Sequence, residues 1–151
     1  MNPNAPVVYI ETSVILALLR NEPDRVGVCS AAFADAEAGA IRAITSAFTL
    51  AEVIKLPEQA GYLPESAQAA IEQFFQHSWL RVALVDRRVG SLARQLAVAH
   101  GLKPPDAVHV ATAQLYGAQQ LFTYDERILR ANGSVQNMEI CEPRGQIRLG
   151  I

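Results

Sequence analysis

The stretch that decides the fold is Val7-Val8-Tyr9-Ile10-Glu11-Thr12-Ser13-Val14. Four β-prone residues run into an acid, and helix-like sequence follows from 13 to 20. A short strand passing at once into a helix is the opening of a βα unit. The same alternation recurs along the chain. Residues 25–38 are Ala-rich and helical, stopped at Gly39. Residues 41–45 read as a second strand, and Ser46 caps a helix carried to about Leu56, where Pro57 ends it. Pro64-Glu65 opens another helix, with Ile71, Phe74 and Phe75 as its buried face. Residues 80–85 form a third strand, and Asp86 starts a helix that runs to His100 and closes at Gly101. Pro104-Pro105-Asp106 launches a helix to Tyr116. A strand at 120–123, a short helix at 125–130, a turn at Asn132-Gly133 and a last strand at 138–141 complete the pattern. Strands alternating with helices predict an α/β fold, a three-layer α/β/α sandwich around a mostly parallel sheet, in one domain over 1–151.

Composition narrows the function classes. With 151 residues, 50% hydrophobic and 19% charged, the chain is globular rather than disordered or fibrous. Its formal net charge of −2 argues against a non-specific nucleic-acid binder. Clustered acids that hold metal ions would depress that figure while a local basic rim still met phosphates. Cys29 and Cys141 fit no metal spacing and make no disulfide framework, so reduced thiols and a cytoplasmic location are expected. The N-terminal residues carry no signal-peptide pattern, and the apolar run 14–19 falls well short of the roughly 20 residues that span a membrane.

In parallel sheets ligands gather beyond the carboxyl ends of the strands. Glu11 and Asp125 stand just past two such ends, Asp106 lies in the first turn of a helix, and Glu52 sits within the helix after the second strand. Each is set in or beside apolar sequence, where an unpaired carboxylate is costly. Four carboxylates brought together repel, and a hard divalent cation, Mg²⁺ or Mn²⁺, is the simplest resolution. Local roles compete with this. Asp106 suits a helix N-terminus, Asp125 suits a cap, Glu52 can pair with Lys55 across one turn, and Glu11 can start a helix.

The ordered set of motifs resembles the PIN-domain ribonuclease family. Tyr9-Ile10-Glu11-Thr12-Ser13-Val14 is similar to its opening motif, Leu50-Ala51-Glu52-Val53 to its second, Pro105-Asp106-Ala107-Val108-His109-Val110-Ala111-Thr112-Ala113 to its third, and Phe122-Thr123-Tyr124-Asp125-Glu126-Arg127 to its fourth. The resemblance spans nearly the whole chain. It implies a Mg²⁺- or Mn²⁺-dependent RNA-cleaving site in which Glu11, Glu52, Asp106 and Asp125 are the acidic, metal-holding residues. Thr12, Ser13 and Thr123 would be hydroxyl supports. The likeness to VapC-type toxins within the family implies a small antitoxin partner and a homodimer. One departure is visible: the family usually has aspartate where this chain has Glu11. The extra methylene displaces the carboxylate by ~1.5 Å, against a geometric tolerance of about 0.5 Å. Loss of catalysis, leaving a PIN-fold RNA- or protein-binding module, is the alternative that Glu11 raises.

Other residues carry less. Arg127 is the best candidate to steer a phosphate, with Lys55 beside it; solvated ion pairing is the plain alternative for both. His109 shares a helix face with Asp106, and packing or surface exposure accounts for it. Phe74, Phe75 and Trp79 read as core rather than a base-stacking platform. A response-receiver fold would need an acid pair after the first strand and a late lysine, and neither is present.

Overall fold

The computed structural model of the chain describes residues 2–55 and 60–145. Five strands, β1 (Val7–Ile10), β2 (Arg42–Ser46), β3 (Leu80–Ala83), β4 (Gln120–Phe122) and β5 (Glu139–Cys141), form one sheet in the order β3-β2-β1-β4-β5. Every pairing is parallel, with Tyr9 opposite Ile44 on one side and Leu121 on the other. The chain therefore builds outward from β1 through β2 to β3, then returns to add β4 and β5 on the opposite side. The switch point lies between β1 and β4.

Side chains alternate across the sheet and divide the core in two. Val8, Ile10, Ala43 and Phe122 face one layer, which holds α1 (Thr12–Leu19), α2 (Val26–Glu37) and α4 (Glu65–Phe75). Tyr9, Ile44, Leu121 and Ile140 face the other, covered by α5 (Arg87–His100), α6 (Pro104–Leu115) and α7 (Glu126–Leu129). Strands buried on both faces explain why Val7–Ile10 is a continuous apolar run rather than an alternating one. The expected three-layer sandwich is the fold, and its sheet is wholly parallel among the described residues.

Most element boundaries fall within a residue or two of expectation. The helix after β2, α3 (Ala47–Glu52), is the largest difference. It starts at the Ser46 cap as expected, but Val53 leaves helical geometry at φ −87°, ψ 63° and buries its side chain instead. Its expected end at Leu56 and Pro57 lies outside the described residues, as do residues 146–151 of the tail. The third strand stops at Ala83, the last residue with a partner on β2, and Leu84 and Val85 are exposed. Phe74 packs edge-on against both Phe33 and Trp79, so the aromatics are core. No helix among the described residues is long and apolar enough to cross a membrane.

The turn from α5 into α6 rests on Gly101, which holds φ 66°, ψ 24°. A Cβ there meets nothing within 4 Å, so a side chain costs only conformational strain. Gly101→Ala is expected to cost about 1 kcal/mol, lowering Tm by about 2–4 °C in a thermal melt.

Candidate functional site

Glu11 ends β1 and caps α1, and its carboxylate is buried. Oε2 accepts from the Ser13 amide at 3.0 Å, from Ser13 Oγ at 2.5 Å and from Thr123 Oγ1 at 2.8 Å. Ser13 Oγ accepts in turn from the Tyr124 amide, and Thr123 Oγ1 from the Asp125 amide. Two hydroxyls thus stitch the end of β1 to the end of β4, where parallel pairing brings them side by side. The capping role and the site role of Glu11 are the same geometry. The longer side chain is accommodated by three donors aimed at one oxygen.

Glu52, at the C-terminus of α3, reaches the same edge. Its Oε1 accepts from Thr12 Oγ1 at 2.7 Å and lies 2.6 Å from His109 Nε2. Burial opposes ionisation here, but the hydrogen bonds of His109 and of the Thr12 hydroxyl outweigh it and hold the carboxyl below its ordinary range. Beneath it, Thr45 Oγ1 lies 2.8 Å from the Ile10 carbonyl oxygen and 2.9 Å from Thr49 Oγ1, which fixes α3 to β1.

Asp106 and Asp125 meet across Arg127. Asp125 caps α7, accepting from the Arg127 amide at 2.8 Å and from its guanidinium at 3.0 and 3.3 Å. Burial raises its carboxyl, but those Arg127 contacts win and hold it below the ordinary value. Asp106 gets less: Arg127 Nε stands 3.6 Å from Oδ2, too far for a hydrogen bond, and that buried oxygen has no hydrogen-bond partner. Burial, then the charge of Asp125, push the Asp106 carboxyl up. Glu11 also raises Asp106, and Asp125 raises Glu52, so the four acids share one field.

The four expected acids and the three hydroxyl supports therefore come together. Donor atoms of Glu11, Glu52 and His109 lie within 4.8 Å of one another. His109 is the residue that sequence reasoning undervalued. It is packed, as expected, but its buried ring bonds the acid cluster; its spacing of three from Asp106 was the available signal. Arg127 is engaged with two of the acids. Lys55 is exposed, and no hydrogen bond or ion pair among the described residues joins it to the acids. A cavity of about 400 Å³ beside Asp106 is lined by Arg127 and by three further basic side chains, His100, Lys103 and Arg130. This local basic rim stands out against the net charge of −2. The close carboxylates of Glu11 and Glu52, with the unbonded buried oxygen of Asp106 in the same field of charge, fit a hard divalent cation.

Such a sandwich, with acids from two strand ends and two helices facing one another beyond the sheet, defines an α/β protein with an acidic cleft at its switch point. The PIN domain family profile matches residues 8–133, and the chain belongs to that family. Solved structures share the fold. A toxin–antitoxin complex from Klebsiella pneumoniae is 18% identical, with 87% of this chain and 94% of that one covered at a TM-score of 0.62. VapC20 of Mycobacterium tuberculosis, a sarcin–ricin loop cleaving toxin, is 21% identical over 82% and 94%, with a TM-score of 0.65. FitAB bound to a DNA fragment is 20% identical over 90% and 94%, with a TM-score of 0.60. A search of curated proteins finds no match.

The raised Asp106 carboxyl has a thermal consequence. The folded state favours its protonated form, so the penalty for ionising it is present at neutral pH and fades as pH falls through the carboxylate range. Asp106→Asn is expected to raise Tm in metal-free buffer at pH 7 by about 2–4 °C, the shift that ~1 kcal/mol gives in a domain this size. The gain should close near about pH 4; a lower Tm at pH 7 would contradict the clustering of charge.

Proposed function

We propose that the chain is a metal-dependent endoribonuclease, the toxin half of a toxin–antitoxin pair. The observation that carries this reading is the unbonded, buried Asp106 oxygen, set in the field of Asp125 and Glu11. A structural salt-bridge network would satisfy that oxygen; a cation-binding one leaves it free. Family membership supports the nuclease, and two of the three similar structures are described as a toxin or a toxin–antitoxin complex.

Glu11, Asp106, Asp125 and Glu52 would hold Mg²⁺ or Mn²⁺. Once bound, such an ion supplies water activation and charge stabilisation for phosphodiester hydrolysis. The chain's own residues do the positioning. Ser13 and Thr123 fix one Glu11 oxygen, and Thr12 and His109 fix one Glu52 oxygen. The basic cavity of His100, Lys103, Arg127 and Arg130 opens beside Asp106 and suits the phosphates of an RNA strand. No side chain is placed as a nucleophile in this scheme; the acids and their donors provide orientation. A small antitoxin covering the cleft, a homodimer and a cytoplasmic setting belong to the same reading.

Purified protein incubated with mixed tRNA and ribosomal RNA is expected to cleave with Mg²⁺ or Mn²⁺, to stop with EDTA, and to lose activity as Asp106→Asn. Folded protein that neither cleaves nor binds Mn²⁺ would instead be a catalytically silent binding module. Glu11→Asp withdraws the carboxylate from its three donors, so it is expected to lower the cleavage rate by about 100-fold. A faster variant would show that the glutamate is a compromise.

A further inference from the structure

His109 is 1% exposed, yet both of its ring nitrogens are engaged. The ring sits 5.9 Å from that of Tyr9 on β1 and 5.6 Å from that of Phe48 on α3. Nε2 lies 2.6 Å from Glu52 Oε1, and Nδ1 lies 2.6 Å from the Tyr9 hydroxyl. Chemistry fixes the direction of these bonds. An ionised carboxylate only accepts, so a bare nitrogen at 2.6 Å would repel it, and Nε2 must carry hydrogen. The same Oε1 also accepts from Thr12 Oγ1 at 2.7 Å, as an acceptor oxygen does.

At the other nitrogen, the hydroxyl of the fully buried Tyr9 is the partner of Nδ1. An imidazole with its hydrogen on Nε2 accepts at Nδ1, so the phenol donates there. Donation therefore runs one way, from Tyr9 to His109 and on to Glu52. Thr12 supplies a second donor to the same Oε1. Among the described residues no hydrogen bond engages Glu52 Oε2.

We infer that His109 is a positioning residue for the acidic centre. It donates from Nε2 to Glu52 Oε1, its tautomer is set by Tyr9, and Glu52 is thereby turned to present Oε2 to the bound cation. This rests on the metal-nuclease reading above. The inference also removes His109 from the ligand set, although Nε2 is within 4.8 Å of Glu11 and Glu52 oxygens. Its lone pair faces the core at Nδ1. The centre is then an all-oxygen one, suited to Mg²⁺ and Mn²⁺ rather than to cations that seek imidazole.

Two measurements test it. In metal-free protein, nitrogen NMR of the imidazoles, with His109 assigned by its loss in His109→Gln, is expected to show hydrogen on Nε2. A ring with hydrogen on Nδ1 and a bare Nε2 overturns the inference. In Mn²⁺ titrations, His109→Gln keeps an N–H donor in place of Nε2 and should stay close to wild-type affinity. His109→Leu should bind about 10–100-fold more weakly, the usual cost of losing such an outer partner. Equal weakening in both variants would make the imidazole nitrogen a ligand, and unaltered binding in His109→Leu would leave it no role; either result overturns the inference. If His109→Leu fails to fold, Tyr9→Phe carries the same test. It removes only the phenolic hydroxyl, and a Mn²⁺ affinity equal to wild type would deny Tyr9 its part. Wild-type protein that binds no Mn²⁺ would sink the nuclease reading instead, and the NMR result then judges the relay alone.

Discussion

A carboxylate buried at the end of the first strand is the constraint on which the rest depends. Removing such a charge from water costs several kcal/mol even after the protein relaxes. Each hydrogen bond to a charged group returns about 1.5–3 kcal/mol. Three donors on Glu11 Oε2 are therefore of the size needed, and two of them come from Ser13 and one from Thr123. Because Ser13 opens α1 and Thr123 ends β4, satisfying this one charge also fixes the register of β1 against β4 and the entry of α1. The stitch is local chemistry with a topological result.

Asp106 and Asp125 show how the same counter-charge divides unequally. Both touch Arg127, but Asp125 receives an amide and two guanidinium contacts between 2.8 and 3.3 Å. Asp106 receives one contact at 3.6 Å and is the more buried of the two side chains. Proximity decides the outcome for Asp125, and burial decides it for Asp106. The two carboxyls are displaced in opposite directions by neighbours they share. Separating the proton affinities of adjacent acids is a common property of functional sites.

Much of this was legible in the sequence, for physical reasons. Strands such as Val7–Ile10 announce themselves because burial on both faces demands uninterrupted apolar residues. Gly101 and Asp86 mark helix ends because only a left-handed turn or a side-chain acceptor closes them cheaply. The acids were visible as charges in apolar surroundings. Three features were not. The early end of α3 follows from the burial of Val53, a tertiary effect with no local signal. Tyr9 reads as ordinary core, and only the position of α6 over the sheet gives its hydroxyl a partner. Arg127 reads either as a cation to steer phosphate or as a solvated pairing partner, and only the structure shows its two-residue spacing from Asp125 folding it back on the cap.

The strand order has a consequence for how such a chain is made. Glu11 and its partner Thr123 are 112 residues apart in sequence, and β4 pairs with β1 although β2 and β3 lie between them in the chain. Contacts of that separation close late, because the intervening loop must be ordered first. During synthesis the first strand emerges with its acid exposed and unsupported. Thr123 and Asp125 reach it only when most of the described chain has been polymerised. The cleft is a property of the finished sheet, and a partly made or truncated chain lacks half of its acids and all of the β4 stitch.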